Sequence, residues 1–345
     1  MRESERGTSR RAVIAGAGIG LGGGLAAAWP TGTSVAQAVE SAQASAIWSA
    51  EYRATKGDVS LSMYRKRQGA PQPGEPPRPV LFLVHGSSIS ARPSFDLEVP
   101  GRGEFSLMNA FAGRGFDVWT VDHEGYGRSS RTDGNSDIAS GVEDLKSASE
   151  VVVRETGQTR FHFYGGSSGA LRAGAFAMAR PERVGRLVLQ AFTWTGSESP
   201  TLSERAKRVE FYRTHNQRPR DRDMIRSIFT RDKPGTADPA VPEALADAEL
   251  QFGDSIPTGT YLDMTANLPV VDPAKVRAPV LLVRGEYDGI ASVDDLMAFF
   301  QRLPNPDRQF TIIPAASHNV ALGNNRHLLW HVVHAFLTTP PHIAV

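Results

Sequence analysis

Short runs of apolar residues, most of them ended by glycine or a small polar residue, alternate along the chain with stretches whose apolar positions return every three to four residues. Residues 79–85 (P-V-L-F-L-V-H) lack any polar alternation, which predicts a strand covered on both faces. Residues 58–67 do alternate, which predicts a half-exposed edge strand. Further strands are expected at 117–122, 161–164, 184–191, 279–283 and 309–313, and helices at 105–113, 137–155, 168–180, 294–302 and 325–337. Strands and helices taken in turn predict an α/β chain: a mostly parallel sheet with helices on both faces.

The rhythm breaks between Phe192 and Asp272. This stretch holds helix-compatible segments at 202–212, 221–230 and 242–252, punctuated by proline, and no buried-strand run. It reads as a helical cap, residues 192–272, inserted between a first core part at 39–191 and a second at 273–345. A chain of 345 residues with 40% hydrophobic content builds such a core without staples.

Charge and composition remove several functions. Lys+Arg 38 against Asp+Glu 37, with no basic block, argues against nucleic acid as a partner. The absence of cysteine excludes disulfides, zinc-thiolate sites and thiol nucleophiles, so covalent catalysis must use oxygen or nitrogen.

The first forty residues carry an address. Arg2, Arg6, Arg10 and Arg11 precede a Gly/Ala-rich, mildly apolar run, and Ala36-Gln37-Ala38 supplies a small-residue cleavage pattern, so residues 1–38 read as a signal peptide. The Arg10-Arg11 pair resembles a twin-arginine signal, which implies a periplasmic or secreted protein and a mature charge of about −1. Gly16, Gly18 and Gly20 superficially match a dinucleotide fingerprint. Only four residues, Ala12 to Ala15, separate them from the arginine pair, and Trp29-Pro30 stops any helix early, so the strand and helix that the fingerprint needs are missing. The apolar run is also too short and too glycine-rich for a stable membrane span.

The chemistry lies in loops expected at the carboxyl ends of strands. Phe161-His162-Phe163-Tyr164-Gly165-Gly166-Ser167-Ser168-Gly169 places G-x-S-x-G between a short strand and a helix-forming run. The small residues allow the sharp turn that projects the Ser167 hydroxyl at a helix N-terminus. Ser168 is the alternative register, with glycine before it and alanine after its neighbour, but Ser167 has glycine at both required positions. A serine hydroxyl needs a base, and the base an orienting acid. Asp288 follows the strand at 279–283 and His318 follows the one at 309–313, giving the order Ser, Asp, His; Glu286 is the rival acid. The oxyanion donors would be the backbone N–H groups of Ser87, in His85-Gly86-Ser87-Ser88, and of Ser168.

The other histidines have plainer readings. His162 is mid-strand, His215 falls in the cap and His342 in the tail. His327, His331 and His334 share a helix face at a spacing open to metal, but such a stripe is more often a solvated face, and neither a metal nor a cofactor is expected.

Together H-G-S-S, G-G-S-S-G, G-E-Y-D and S-H-N, in this order, resemble the α/β-hydrolase superfamily from about residue 58 to residue 338. The resemblance implies an α/β-hydrolase fold with an eight-stranded type of sheet, a Ser167-His318-Asp288 triad and hydrolysis of a carboxylic ester or lactone. Amidases, peptidases and carbon–carbon bond hydrolases of the same fold, and a non-catalytic ligand-binding member, are the alternatives. Asp122-His123-Glu124-Gly125-Tyr126-Gly127-Arg128-Ser129 is similar to the D-x-R-G-x-G-x-S stretch of many capped members, with Glu124 in place of arginine. Aromatic residues near or within the cap, Phe192 and Trp194 first, are expected to line the pocket. The expected partner is therefore a small-molecule ester with an apolar or aromatic group. The oligomeric state is left open.

Overall fold

The computed structural model describes residues 46–340. The leader-like residues 1–38 and His342 lie outside them.

The main sheet has eight strands. In chain order the strands are β1 (Ile47–Lys56), β2 (Val59–Gln68), β3 (Val80–Val84), β4 (Asp117–Val121), β5 (Phe161–Gly166), β6 (Val184–Gln190), β7 (Gln217–Pro219), β8 (Ser255–Pro257), β9 (Val280–Gly285) and β10 (Arg308–Ile313). The eight-stranded sheet runs β1-β2-β4-β3-β5-β6-β9-β10, and β7 and β8 form a separate two-stranded ribbon. β2 is antiparallel to both neighbours, and the other main-sheet pairs are parallel.

The helices are α1 (Ala91–Phe95), α2 (Leu107–Ala112), α3 (Ile138–Thr156), α4 (Ser168–Ala179), α5 (Pro200–Ala206), α6 (Val209–Thr214), α7 (Arg222–Thr230), α8 (Ala240–Leu250), α9 (Gly259–Leu262), α10 (Val293–Arg302) and α11 (Arg326–Leu337). The continuous apolar runs of the parallel strands now have their reason. In β3, Val80, Phe82 and Val84 pack toward α3, α4 and α10, while Leu81 and Leu83 pack toward α2 and α11. β9 divides in the same way, Val280 and Leu282 against Leu281 and Val283. Side chains alternate across a strand, so a strand covered on both faces must be apolar throughout. Full burial of each such side chain stabilises the fold by about 1.5–3 kcal/mol.

Two expectations change. Residues 58–67 do not form the edge: β1 pairs along the whole of β2 and takes that place, leaving most of β2 buried. β1 alternates itself, with Trp48, Ala50, Tyr52 and Ala54 on the less exposed side, but its intervening charged residues read as a polar lead-in. The expected helix at 202–212 is interrupted between Ala206 and Val209, giving α5 and α6.

Between β6 and β9 no strand joins the main sheet. This helical insertion contains α5 to α9 and, beyond what the apolar pattern indicates, the β7/β8 ribbon. Ile225, Ile228 and Phe229 of α7 and Leu245 of α8 pack against Ile89, Leu97, Phe105 and Leu322, so the insertion rests on loops that leave the sheet. A buried carboxylate fastens it: Glu249, paired within the insertion with Arg220, accepts with its other oxygen the Ser90 hydroxyl at 2.6 Å and the Ser90 amide at 3.0 Å. Among the described residues no helix is long and apolar enough to cross a membrane.

Candidate active site

Ser167 stands between β5 and α4 with φ 58° and ψ −127°. A non-glycine residue at that φ stores strain, and the surrounding structure must hold it there. The chain around it requires glycine: a Cβ on Gly169 would overlap the carbonyl oxygen of Val84, and one on Gly86 would stand 3.2 Å from the Ser167 Cβ. These close approaches press the loop after β3 against the serine turn.

The loops after β5, β9 and β10 then converge. Ser167 Oγ lies 2.9 Å from His318 Nε2, and His318 Nδ1 lies 2.9 Å from Asp288 Oδ1. Nδ1–H donating to the carboxylate leaves Nε2 free to accept the serine proton, which is the tautomer a base needs. Asp288 is 2% exposed. Burial alone would raise its pKa, but His318 and the Ile290 amide, which donates to Oδ1 at 2.9 Å, outweigh this and hold the carboxyl below its ordinary value. A carboxylate kept ionised beside the ring both orients it and stabilises it when protonated. Behind His318, its backbone amide donates to Asp232 at 3.3 Å and its carbonyl accepts from Gln190 at 3.0 Å.

Ser168 is the first residue of α4, so its N–H has no intrahelical acceptor, and the residue is fully buried. Ser87 is brought beside it, with Ser87 Oγ donating to Ser168 Oγ at 2.7 Å. The loop carrying Ser87 is braced from behind. Tyr126 donates to the Ser87 carbonyl at 2.9 Å, and His85 Nδ1–H donates to the Gly86 carbonyl at 2.8 Å while Nε2 accepts the His123 amide at 3.0 Å. His123 Nδ1 is in turn 3.0 Å from Asp144. Burial, then Arg172, pulls the His123 pKa down to about 4 despite Asp144; burial holds His85 well below its ordinary value too. Both rings are neutral, which suits the bonds they make. Glu124, in the position where capped relatives carry arginine, pairs with Lys56 of β1 at 2.7 Å, and Lys56 also reaches Asp144.

Residues 100–324 match the family model of serine aminopeptidases, S33. The chain belongs to that family. This S33 chain is 27% identical over 244 residues to a 2-hydroxy-6-oxononadienedioate/2-hydroxy-6-oxononatrienedioate hydrolase of Burkholderia vietnamiensis, covering 66% of this chain and 77% of that one. Its fold is similar to a 2-hydroxy-6-oxo-6-phenylhexa-2,4-dienoate hydrolase of Rhodococcus, with a TM-score of 0.61, 17% identity and coverage of 85% and 100%. It is also similar to a carboxylesterase of Bacillus subtilis, with a TM-score of 0.60, 19% identity and coverage of 88% and 96%. The fold is that of the α/β-hydrolases, and the S33 chain is a hydrolase of that superfamily.

The remaining predicted residues of the S33 chain fall as follows. Glu286, the rival acid, points elsewhere and accepts the Ala315 amide at 2.7 Å. Phe192 and Trp194 are not in the cleft above Ser167. Ala191, just before them, has φ 51°, and the chain turns there so that Phe192 packs on Phe299 with ring centroids 4.7 Å apart; Trp194 bonds the Val271 carbonyl. Tyr212 and Tyr261 pack together with Tyr126 and Ile256. His334 lies against Phe111 and Phe116, and among the described residues no group of histidines and carboxylates is arranged to hold a metal.

The cleft itself, about 690 Å³ out to open solvent, is lined by residues outside the expected aromatic pair: aliphatic Ile89, Ile228, Leu245 and Leu322, aromatic Phe95 and Tyr164, and Arg205 and Arg231. Arginines in a charged segment read as solvent-facing. The signal that was present is Arg205 three residues after buried Leu202, on one helix face.

Proposed function

We propose that this protein is a serine hydrolase cleaving a carboxylic ester or lactone through an acyl-enzyme, with Ser167 as nucleophile, His318 as base and Asp288 as its orienting acid. The observation that carries the reading is the unbroken Ser167–His318–Asp288 chain, 2.9 Å at each link, opening onto a cleft. His318 Nε2 takes the serine proton as Oγ adds to the carbonyl carbon. The oxyanion sits at the N–H groups of Ser87 and Ser168, and its collapse breaks the bond to the alkoxide, which leaves with the proton from His318. Water then repeats the sequence in reverse and frees the acid.

A second reading has its own support. The Burkholderia vietnamiensis relative bears the name of a hydrolase of an oxo-dienedioate. In this reading the bond broken at the carbonyl carbon joins it to another carbon, and the departing carbanion takes the proton from the same imidazole. The two readings part on substrate, not on machinery. Purified protein is assayed on a panel of alkyl and aryl esters and lactones beside oxo-dienedioates, each with Ser167→Ala in parallel. Ester turnover lost in Ser167→Ala supports the first reading. Turnover of the oxo-dienedioates alone replaces it with the second, and ester turnover undiminished in Ser167→Ala removes both.

Export is part of the same proposal, resting on the arginine pair and Ala36-Gln37-Ala38. Mass spectrometry of the mature N-terminus tests it: a chain starting at Val39 is expected, and one retaining Met1 in the cell envelope overturns it.

A further inference from the structure

Two cations face the cleft above Ser167. Arg205 reaches it from α5, its guanidinium 5.1 Å from the centre of the Tyr261 ring. The charged and phenolic groups around it are Arg231, Arg218, Tyr212 and Tyr261; among the described residues no Asp or Glu pairs with it. Burial, then Arg231, draws its pKa down to about 10, so it remains cationic at neutral pH. Arg231 follows α7, and its Nε lies 3.4 Å from Asp232, the carboxylate that also accepts the His318 amide. That contact ties Arg231 to the loop of the base through Nε. Asp288, the other buried carboxylate nearby, is already committed to His318. The residues lining the cleft thus include two guanidinium groups and no acid.

Arg205 is half-buried and Arg231 exposed, and an anion placed between two like charges that face one cleft relieves their mutual repulsion. A planar guanidinium fork matches a carboxylate in geometry, and two forks match it better than one. The same cleft is lined by Ile89, Ile228, Leu245 and Leu322 together with Phe95 and Tyr164, apolar surface suited to a short hydrocarbon chain.

We propose that Arg205 and Arg231 form a carboxylate subsite, so that the substrate is an organic acid derivative keeping a free carboxylate beside the carbonyl presented to Ser167. This rests on the hydrolase reading above and narrows it, replacing a wholly apolar or aromatic substrate with an anionic one that has a short apolar spacer.

The test compares 4-nitrophenyl monoesters of glutarate and adipate with the matched neutral pentanoate and hexanoate esters. Native protein is expected to favour at least one carboxylate-bearing ester by about tenfold to a hundredfold in kcat/KM, the value of a charge-assisted contact. Arg205→Gln and Arg231→Gln each shrink that ratio about tenfold or more. Each variant is its own reference, so partial misfolding and the esters' intrinsic reactivity cancel. A native ratio near one, or a ratio that survives in both variants, overturns the subsite. Calorimetric titration of glutarate into Ser167→Ala protein separates the two readings. Binding that Arg205→Gln abolishes supports the subsite even where no ester is turned over. Absence of binding alongside normal turnover of neutral esters sinks the subsite and leaves the triad standing.

Discussion

The strand-end loops of the core and the helical insertion above them are built on opposite principles. In the loops the reactive side chains and backbone are held by fixed partners: Asp288 holds His318, His85 and Tyr126 brace the Gly86-Ser87 backbone, and glycine at 169 is forced by contact with the neighbouring chain. The insertion instead meets the core through an apolar seam and scattered single hydrogen bonds, such as those from Ser90 to Glu249 and from the Ile138 amide to Asp263, and it leaves Arg205 without a carboxylate partner among the described residues. The lesson is a division of labour. Preorganised bonds belong where charge develops during reaction, and incomplete bonding belongs where a ligand completes it.

The largest effect that probes this division is on the loop side. Ser167→Ala should lower kcat by about 10⁴-fold or more while leaving the unfolding midpoint nearly unchanged; a loss under tenfold places the chemistry elsewhere. Asp288→Asn should cost about 10⁴-fold, because an amide favours the wrong imidazole tautomer. Steady-state rates of the two variants side by side show whether the loops act as one unit. On the insertion side the expected change is in stability. Glu249→Ala leaves Arg220 buried and unpaired, which should cost about 3–5 kcal/mol by denaturant titration; a cost below 1 kcal/mol means the insertion is fastened by its apolar seam alone. Phe192→Ala should likewise cost about 3–5 kcal/mol, with substrate preference unaltered, because the ring packs on Phe299 and away from the cleft.

Acid sensitivity sharpens the same contrast and is the smallest effect. Buried, neutral His123 resists protonation until about pH 4, whereas the unfolded chain accepts that proton near pH 6.5. The unfolded state therefore binds more protons in this window, and stability falls as pH drops from about 6.5 to 4, by on the order of 3 kcal/mol for this group. Unfolding free energies measured across that range should slope downward toward acid, and less steeply in His123→Asn. A flat profile removes the neutral histidine brace.

The sheet and the triad were legible because each depends on short-range pattern. V-L-F-L-V announces a strand covered on both faces, and Ser167 needs only its flanking glycines and the elements on either side. β1 is hard to read in the sequence because Glu51, Arg53 and Lys56 obscure the alternation of Trp48, Ala50, Tyr52 and Ala54, and without it the neighbouring β2 has the pattern of an edge. The cleft was not legible for a different reason. Nearness of Phe192 to a strand end says nothing of the turn at Ala191 that sends its ring to Phe299, and the inward course of Arg205 and Arg231 is settled by how α5 and α7 pack. Local signals specify the candidate nucleophile, and long-range packing specifies what reaches it.

The most direct test of the central claim is covalent labelling of the native protein with a neutral fluorophosphonate, followed by peptide mapping. A single adduct on Ser167, formed slowly or not at all in His318→Ala, is the predicted result. No adduct at Ser167, or labelling of His318→Ala at the native rate, would contradict it.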